Sequence, residues 1–253
     1  MLDTTLSATD VRSLTSPPSA PNEDALLLPM VITKVDAVYG CVSALTEDGR
    51  WLRPEPVLLG DIEGDQPYYA YGRPVRCRLA PSTCADRRPE DRELIERLPI
   101  PTSVAIWSDD VLEHWLSAHC DANVAATFAG ERSVGLIRAV PERLYLLRST
   151  QQRYLVRLAF RDGAGQQHDW VVPDVSFTQQ VLDLMRNAAD PDALSARLLH
   201  GLQSTRMFLA VVLTKPINRA RGIIRGCQPL VGGVHTFPPY SQVFAEVVAA
   251  AAS

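Results

Sequence analysis

The stretch of this 253-residue chain richest in groups able to do chemistry is GGVHTFPPY, Gly232 to Tyr240. Its two glycines let a ligand or another chain approach the backbone, while His235, Phe237 and Tyr240 offer stacking faces and hydrogen-bonding groups. It belongs to a segment, Leu194 to Ala245, that has no Asp or Glu but carries Arg197, Arg206, Lys215, Arg219, Arg221 and Arg225. Aromatic rings beside such cations suit single-stranded nucleic acid, where each stacked base contributes about 1–3 kcal/mol and the phosphates make binding salt-sensitive. A second reading packs His235 and Phe237 inside a barrel, with Pro238-Pro239 ending the last strand by removing backbone donors.

Other constellations are weaker. Neither GxxxxGK[ST] nor GxGxxG occurs, so no loop is built to bring backbone N–H groups around a phosphate. GxSxG is absent. Cys77, Cys84, His114, His119 and Cys120 match no zinc knuckle or finger spacing, and His119-Cys120 reads as a helix C-terminus beside a buried thiol. Asp61, Glu63 and Asp65 could hold a divalent metal for a hydrolase or nuclease, but flanked by Gly60 and Gly64 they read first as a solvated loop. Tyr68, Tyr69 and Tyr71 form a stacking platform or an interface. No cofactor and no catalytic residue is expected.

The 46% apolar and 21% charged composition is that of a folded globular protein. A net charge of −4 argues against a non-specific polyanion binder and confines any anion-binding surface to the acid-free segment. No apolar run is long enough to cross a bilayer, and the N-terminus lacks a secretory h-region, so a cytoplasmic protein with no membrane partner is expected. Five cysteines without a CxxC pair fit reduced thiols.

Residues 1–27, rich in Ser, Thr, Pro and Asp, are expected to form a mobile tail. Two β-branched runs then flank Asp48-Gly49, a hairpin signature. A second copy flanks Asp162-Gly163. In each, a Tyr (Tyr39, Tyr154) precedes the turn, and a Trp (Trp51, Trp170) lies three residues before a Pro (Pro54, Pro173) followed by an acid. The parallel suggests duplication. Between the copies, Arg73 to Leu79 and Val134 to Val140 read as strands; Glu90 to Leu98 and Asp109 to His119 read as helices, the latter capped by Ser108. Ser176 to Asn187 and Asp192 to Gln203 read as amphipathic helices, Arg206 to Lys215 and Ile223 to Phe237 as strands, with Gly232-Gly233 marking a bulge or turn.

The segments VITKVDAVYGCVSALTEDGRWLRPEPV, MFLAVVLTKPIN and GGVHTFPPY together resemble the bacterial dual OB-containing domain family. The resemblance spans about Pro29 to Tyr240 and rests on Gly40-Cys41-Val42, Trp51-Leu52-Arg53-Pro54, Leu213-Thr214-Lys215-Pro216 and His235-Thr236-Phe237-Pro238. It implies two OB-like barrels and a nucleic-acid-binding or sensing role in bacterial defence.

The resulting expectation is a mainly β chain with interspersed helices (α+β), built from two duplicated OB-like small β-barrels. Residues 28–140 form the first, 141–245 the second with a helical insertion, and 246–253 a terminal tail. It binds single-stranded nucleic acid without catalysis. Arg53, Arg206, Lys215, Arg219, Arg221 and Arg225 meet phosphates, and Trp51, His235 and Phe237 meet bases. The alternatives are a protein-interaction subunit using Tyr68 to Tyr71 and the Pro-rich edges, and the metal-dependent hydrolase.

Overall fold

The structure, a computed structural model, describes residues 21–83, 88–100, 107–148, 154–214 and 227–252. Its first unit is a closed barrel of five strands: β1 (Glu23–Lys34), β2 (Tyr39–Thr46), β3 (Trp51–Glu55), β5 (Val75–Pro81) and β6 (Asp91–Leu98). A short β4 (Val57–Leu58) is appended to β2. β1 pairs with both β2 and β5, and the ring closes where β3 runs parallel to β6. All other pairings in the barrel are antiparallel. This closed five-stranded arrangement fits an OB-like barrel.

Period-two alternation decides what fills it. Val42 and Ala44 of β2 and Leu52 of β3 point inward with Leu27, Ile32, Val75, Cys77 and Leu79. Tyr39, Cys41 and Ser43, with Trp51, Arg53 and Glu55, lie at the alternate positions and face outward.

The second unit is an open five-stranded sheet of order β11-β10-β7-β8-β9. Its strands are β7 (Val134–Arg148), β8 (Tyr154–Asp162), β9 (Gln167–Val171), β10 (Arg206–Leu213) and β11 (Pro229–Phe237), all antiparallel. A second barrel, expected from the duplication, is not seen among the described residues. The β8–β9 hairpin forms as its β2–β3 counterpart does, but no pairing closes the sheet among the described residues. One face is covered instead by α3 (Val175–Arg186), α4 (Pro191–Gln203) and α5 (Tyr240–Ala252), which bury Phe177, Leu198 and Phe244 against Leu158, Phe160 and Leu209. Asp174 and Asp190 cap α3 and α4 by accepting N–H groups of Phe177 and Ala193.

A third core joins the units. Leu28, Met30, Leu45 and Trp51 from the barrel meet Phe208, Val212 and Phe237 from the sheet, with Leu116 of α1 (Asp109–Ala118) and the half-buried Trp115 beside them. The protein is therefore layered as barrel, sheet and helices. A short α2 (Val124–Thr127) flanks β7.

Several boundaries move. The first strand starts at Glu23 rather than near Leu28, because Ala25 and Leu27 belong to the barrel core, and residues 1–20 of the expected tail lie outside the described residues. Of the stretch read as a helix from Glu90, Asp91–Leu98 is a strand: β3 and β5 pair with it on both sides, and those ladder bonds override its helix-forming Glu, Arg and Leu. The division at 140/141 falls inside β7, which continues through a bulge at Pro141 to Arg143. Residues 246–252 are part of α5 rather than a tail; Val243 and Phe244 anchor that helix, each side chain contributing about 1.5–3 kcal/mol by burial. Gly232 is the bulged residue of β11, between Val231 and Gly233. Among the described residues no helix is long and apolar enough to cross a membrane.

Candidate ligand-binding cleft

The outward face of β1, β2 and β3 is the floor of a cleft of about 780 Å3. Val31 and Thr33, Tyr39, Cys41 and Ser43, and Arg53 and Glu55 line it as the period of two requires. The β1–β2 loop adds Val35 and Asp36, and the β5–β6 connection adds Ser82, Thr83 and Arg88. The opposite wall is the end of the open sheet, with Val212, Leu213, Thr214 and Leu230, together with Pro173. In OB barrels the face of strands 2 and 3 and the loops 1–2 and 4–5 take oligonucleotides, and these are the equivalent elements here.

One end of the floor is apolar and open. Tyr39 is 45% exposed, near Val35, Val38 and Leu58, which are also exposed. The other end is a dense polar network. Arg53, almost wholly buried, donates from Nη1 to Asp91 at 2.8 Å, from Nη2 to Ser133 Oγ at 3.0 Å and from Nε to Ser43 Oγ at 3.2 Å. Glu90 accepts the Ser133 N–H at 2.6 Å and its hydroxyl at 3.3 Å. Arg88 Nη1 donates to the Leu213 carbonyl at 2.6 Å and to Ser133 Oγ at 3.1 Å, tying barrel to sheet. Burial, and then the neighbouring Arg53 cation, hold the Arg88 pKa below its usual value. Burial pushes the Cys41 thiol on the floor upward, so it stays protonated.

Of the five described residues expected to touch nucleic acid, four are placed outside the cleft lining. Trp51 and Phe237 are each 7% exposed and lie in the core between the units, Phe237 edge-on to Phe208 at 5.8 Å. Arg53 lines the cleft, but its guanidinium is committed to the network. Arg206 lies outside the cleft lining, where it pairs with Glu113 at 2.5 Å. Lys215, Arg219, Arg221 and Arg225 lie outside the described residues. The residues flanking that loop are placed: Thr214 lines the cleft, and Gln228 is bonded to it in both directions at 2.8 and 2.9 Å.

His235 is a structural junction. Its Nε2 donates to the Met30 carbonyl at 2.9 Å and its ring meets Tyr71 edge-on at 4.9 Å. Burial lowers its pKa to about 4, so it is neutral. Tyr71 accepts the Ile32 N–H at 3.1 Å. Beside it Asp174, fully buried, accepts the Val234 N–H at 2.8 Å; desolvation raises its pKa to about 6, against the lowering effect of these hydrogen bonds. Tyr69 fills the barrel and Tyr68 lies under Arg97 at 4.8 Å, so the Tyr cluster packs rather than presenting a platform.

The acidic loop is likewise structural at its first member. Asp61 accepts the Leu58 N–H at 3.0 Å and pairs with Arg97 at 2.5 Å, while Glu63 pairs with Lys34 at 3.4 Å. His119 Nδ1 contacts the Trp115 carbonyl at 2.8 Å, as a helix C-terminal His would. Among the described residues no group of three or more His, Cys, Asp or Glu could hold a metal ion.

Sequence reasoning missed Lys34, Tyr39, Arg88, Arg92 and Thr214 as cleft residues. Their signal was positional: the hairpin assigned β2 and β3, and the loops of an OB barrel follow from that count. No family model matches the chain, and a search of curated proteins finds no relative.

Proposed function

We propose that this protein is a non-enzymatic module that binds single-stranded nucleic acid in the cleft between its barrel and its open sheet. The observation that carries the reading is the coincidence of that cleft with the strand 2–3 face and the two loops that OB barrels use for oligonucleotides. Tyr39 supplies an exposed ring for a base, Lys34, paired with Glu63, and Arg92, paired with Glu23, stand in the cleft lining, and the basic segment 215–226 lies between Thr214 and Cys227. The defence role implied by the family resemblance goes with this reading.

Fluorescence anisotropy with labelled single-stranded DNA, single-stranded RNA and duplex DNA at two salt concentrations tests it. Salt-sensitive binding that prefers a single strand and weakens in Tyr39→Ala supports the proposal. Absence of binding to all three at low salt refutes it.

A protein partner is the second reading. It is favoured by the exposed Val35, Val38, Tyr39 and Leu58, two of which line the cleft. Copurification of a partner that Val38→Asp and Leu58→Asp release would support it over nucleic acid.

A further inference from the structure

The polar end of the cleft holds two guanidinium groups, Arg53 and Arg88, and two carboxylates, Asp91 and Glu90. The Arg53 cation is matched by Asp91, and both carboxylate oxygens of Glu90 are occupied by Ser133. Arg88 forms no ion pair among the described residues. Its Nη1 is used twice, but its Nη2 is buried and has no hydrogen-bond partner among the described residues. Buried polar groups are almost always satisfied, and an exception calls for a bound water, ion or ligand group. Arg88 also stands where the 780 Å3 cleft meets an adjoining cavity of about 630 Å3, lining both together with Ser82 and Arg92. An anion there would meet a guanidinium that forms no ion pair among the described residues and whose orientation is already fixed by Leu213 and Ser133. Such a preset fork suits the oxygens of a phosphate.

The geometry of the floor sets what else the ligand must carry. Ser43, beside Arg53 at the polar end, is four residues from Tyr39 at the apolar end, a span of about 13 Å along β2. Apolar walls from Val31, Val57, Val212 and Leu230 lie between. The cleft volume falls in the range of about 300–1,000 Å3 used for small organic ligands. A short unit with a phosphate at one end and a flat ring at the other matches this lining.

We propose that Arg88 is the phosphate anchor of the cleft, which takes a nucleotide-sized unit with its phosphate at Arg88 and its base at Tyr39. This rests on the single-strand reading for the base end only. The phosphate belongs to a free nucleotide or to an oligonucleotide, and Arg88 recognises what the two share.

Thermal-shift and calorimetric titrations of the full chain with inorganic phosphate, adenosine, AMP, UMP and a fluorescein-labelled dT10 test the proposal. AMP or UMP is expected to stabilise the protein and to displace dT10, and adenosine to bind about tenfold more weakly than AMP. Arg88→Gln is expected to erase the difference between AMP and adenosine. Should Arg88→Gln fail to fold because the Leu213 tie is lost, Arg88→Lys keeps a cation without the fork, and its loss of AMP affinity by several-fold is the expected result.

Unchanged AMP and dT10 affinities in a folded Arg88 variant overturn the anchor and leave single-strand binding standing. Nucleotide binding that requires Arg88, with no dT10 binding by the natural protein, does the reverse: the anchor survives and the polymer reading falls. Equal binding of AMP and adenosine by the natural protein overturns the anchor directly.

Discussion

A Cβ built on Gly233 of β11 would stand 1.9 Å from the carbonyl oxygen of Met30 on β1, the same oxygen that accepts the His235 N–H at 2.9 Å. The two units meet backbone to backbone at this point. Gly233→Ala must therefore push the sheet from the barrel, at a cost of about 1–3 kcal/mol or more. Urea denaturation should show this loss, while Gly60→Ala, where nothing lies within 4 Å, should change stability by less than about 0.5 kcal/mol.

Asp174 and His235 on either side of Tyr71 give opposite pH dependences. Asp174 titrates near 6 when folded against an ordinary 3.8, so its favourable contribution is present below about pH 4 and is lost as pH rises through 6. His235 titrates near 4 against an ordinary 6.5, so its contribution is present above 6.5 and is lost as pH falls toward 4. Between pH 7.5 and 5 each is worth about 1–2 kcal/mol, with opposite signs. Urea midpoints of the natural protein should then change little from this pair as pH falls from 7.5 to 5. Asp174→Asn should lose stability over that range, and His235→Gln should gain it; parallel curves for both variants would rule out the pairing.

Arg53 and Asp91 close the barrel across the parallel β3–β6 pair with both side chains nearly or wholly buried. Removing one partner strands the other charge, so Asp91→Ala is expected to cost about 3–5 kcal/mol. The double replacement Arg53→Met, Asp91→Leu should cost less than Asp91→Ala alone. A thermodynamic cycle built on denaturant midpoints measures the difference.

The aromatic residues separate into two classes with distinct signatures. Trp51→Ala or Phe237→Ala empties the core between the units and should cost about 3–5 kcal/mol. Tyr39→Ala touches an exposed ring and should leave stability within about 0.5 kcal/mol while weakening single-strand binding by about 1–3 kcal/mol. Paired stability and anisotropy measurements on the three variants make the comparison.

Local chemistry made much of the architecture readable. Gly49 has φ of 79°, the left-handed value that a turn after Asp48 calls for. In the second hairpin the positive φ belongs to Gly165 rather than Gly163, because that loop is longer. α3 and α4 were legible from apolar spacing, and the Asp caps and Pro191 at the start of α4 mark their beginnings. β6 was not, since its strand state comes from neighbours distant in sequence. The burial of Trp51 was not legible for one physical reason. An aromatic on the outer face of a barrel strand looks the same in sequence whether water or another sheet lies over it, and here β10 and β11 cover Trp51. The cleft was hidden because its two walls come from residues 31–93 and 173–230.

β10 turns Met207, Leu209 and Val211 toward the helices and Phe208, Ala210 and Val212 toward the barrel. Such a strand has no side to surrender. A fragment cut between the barrel and the sheet would carry a raw apolar surface on either piece and would clump with its own kind or with bystanders rather than stand alone. Whatever duplication or fusion once supplied its parts, this chain can now be inherited, transplanted or shortened only with barrel and sheet kept in one piece.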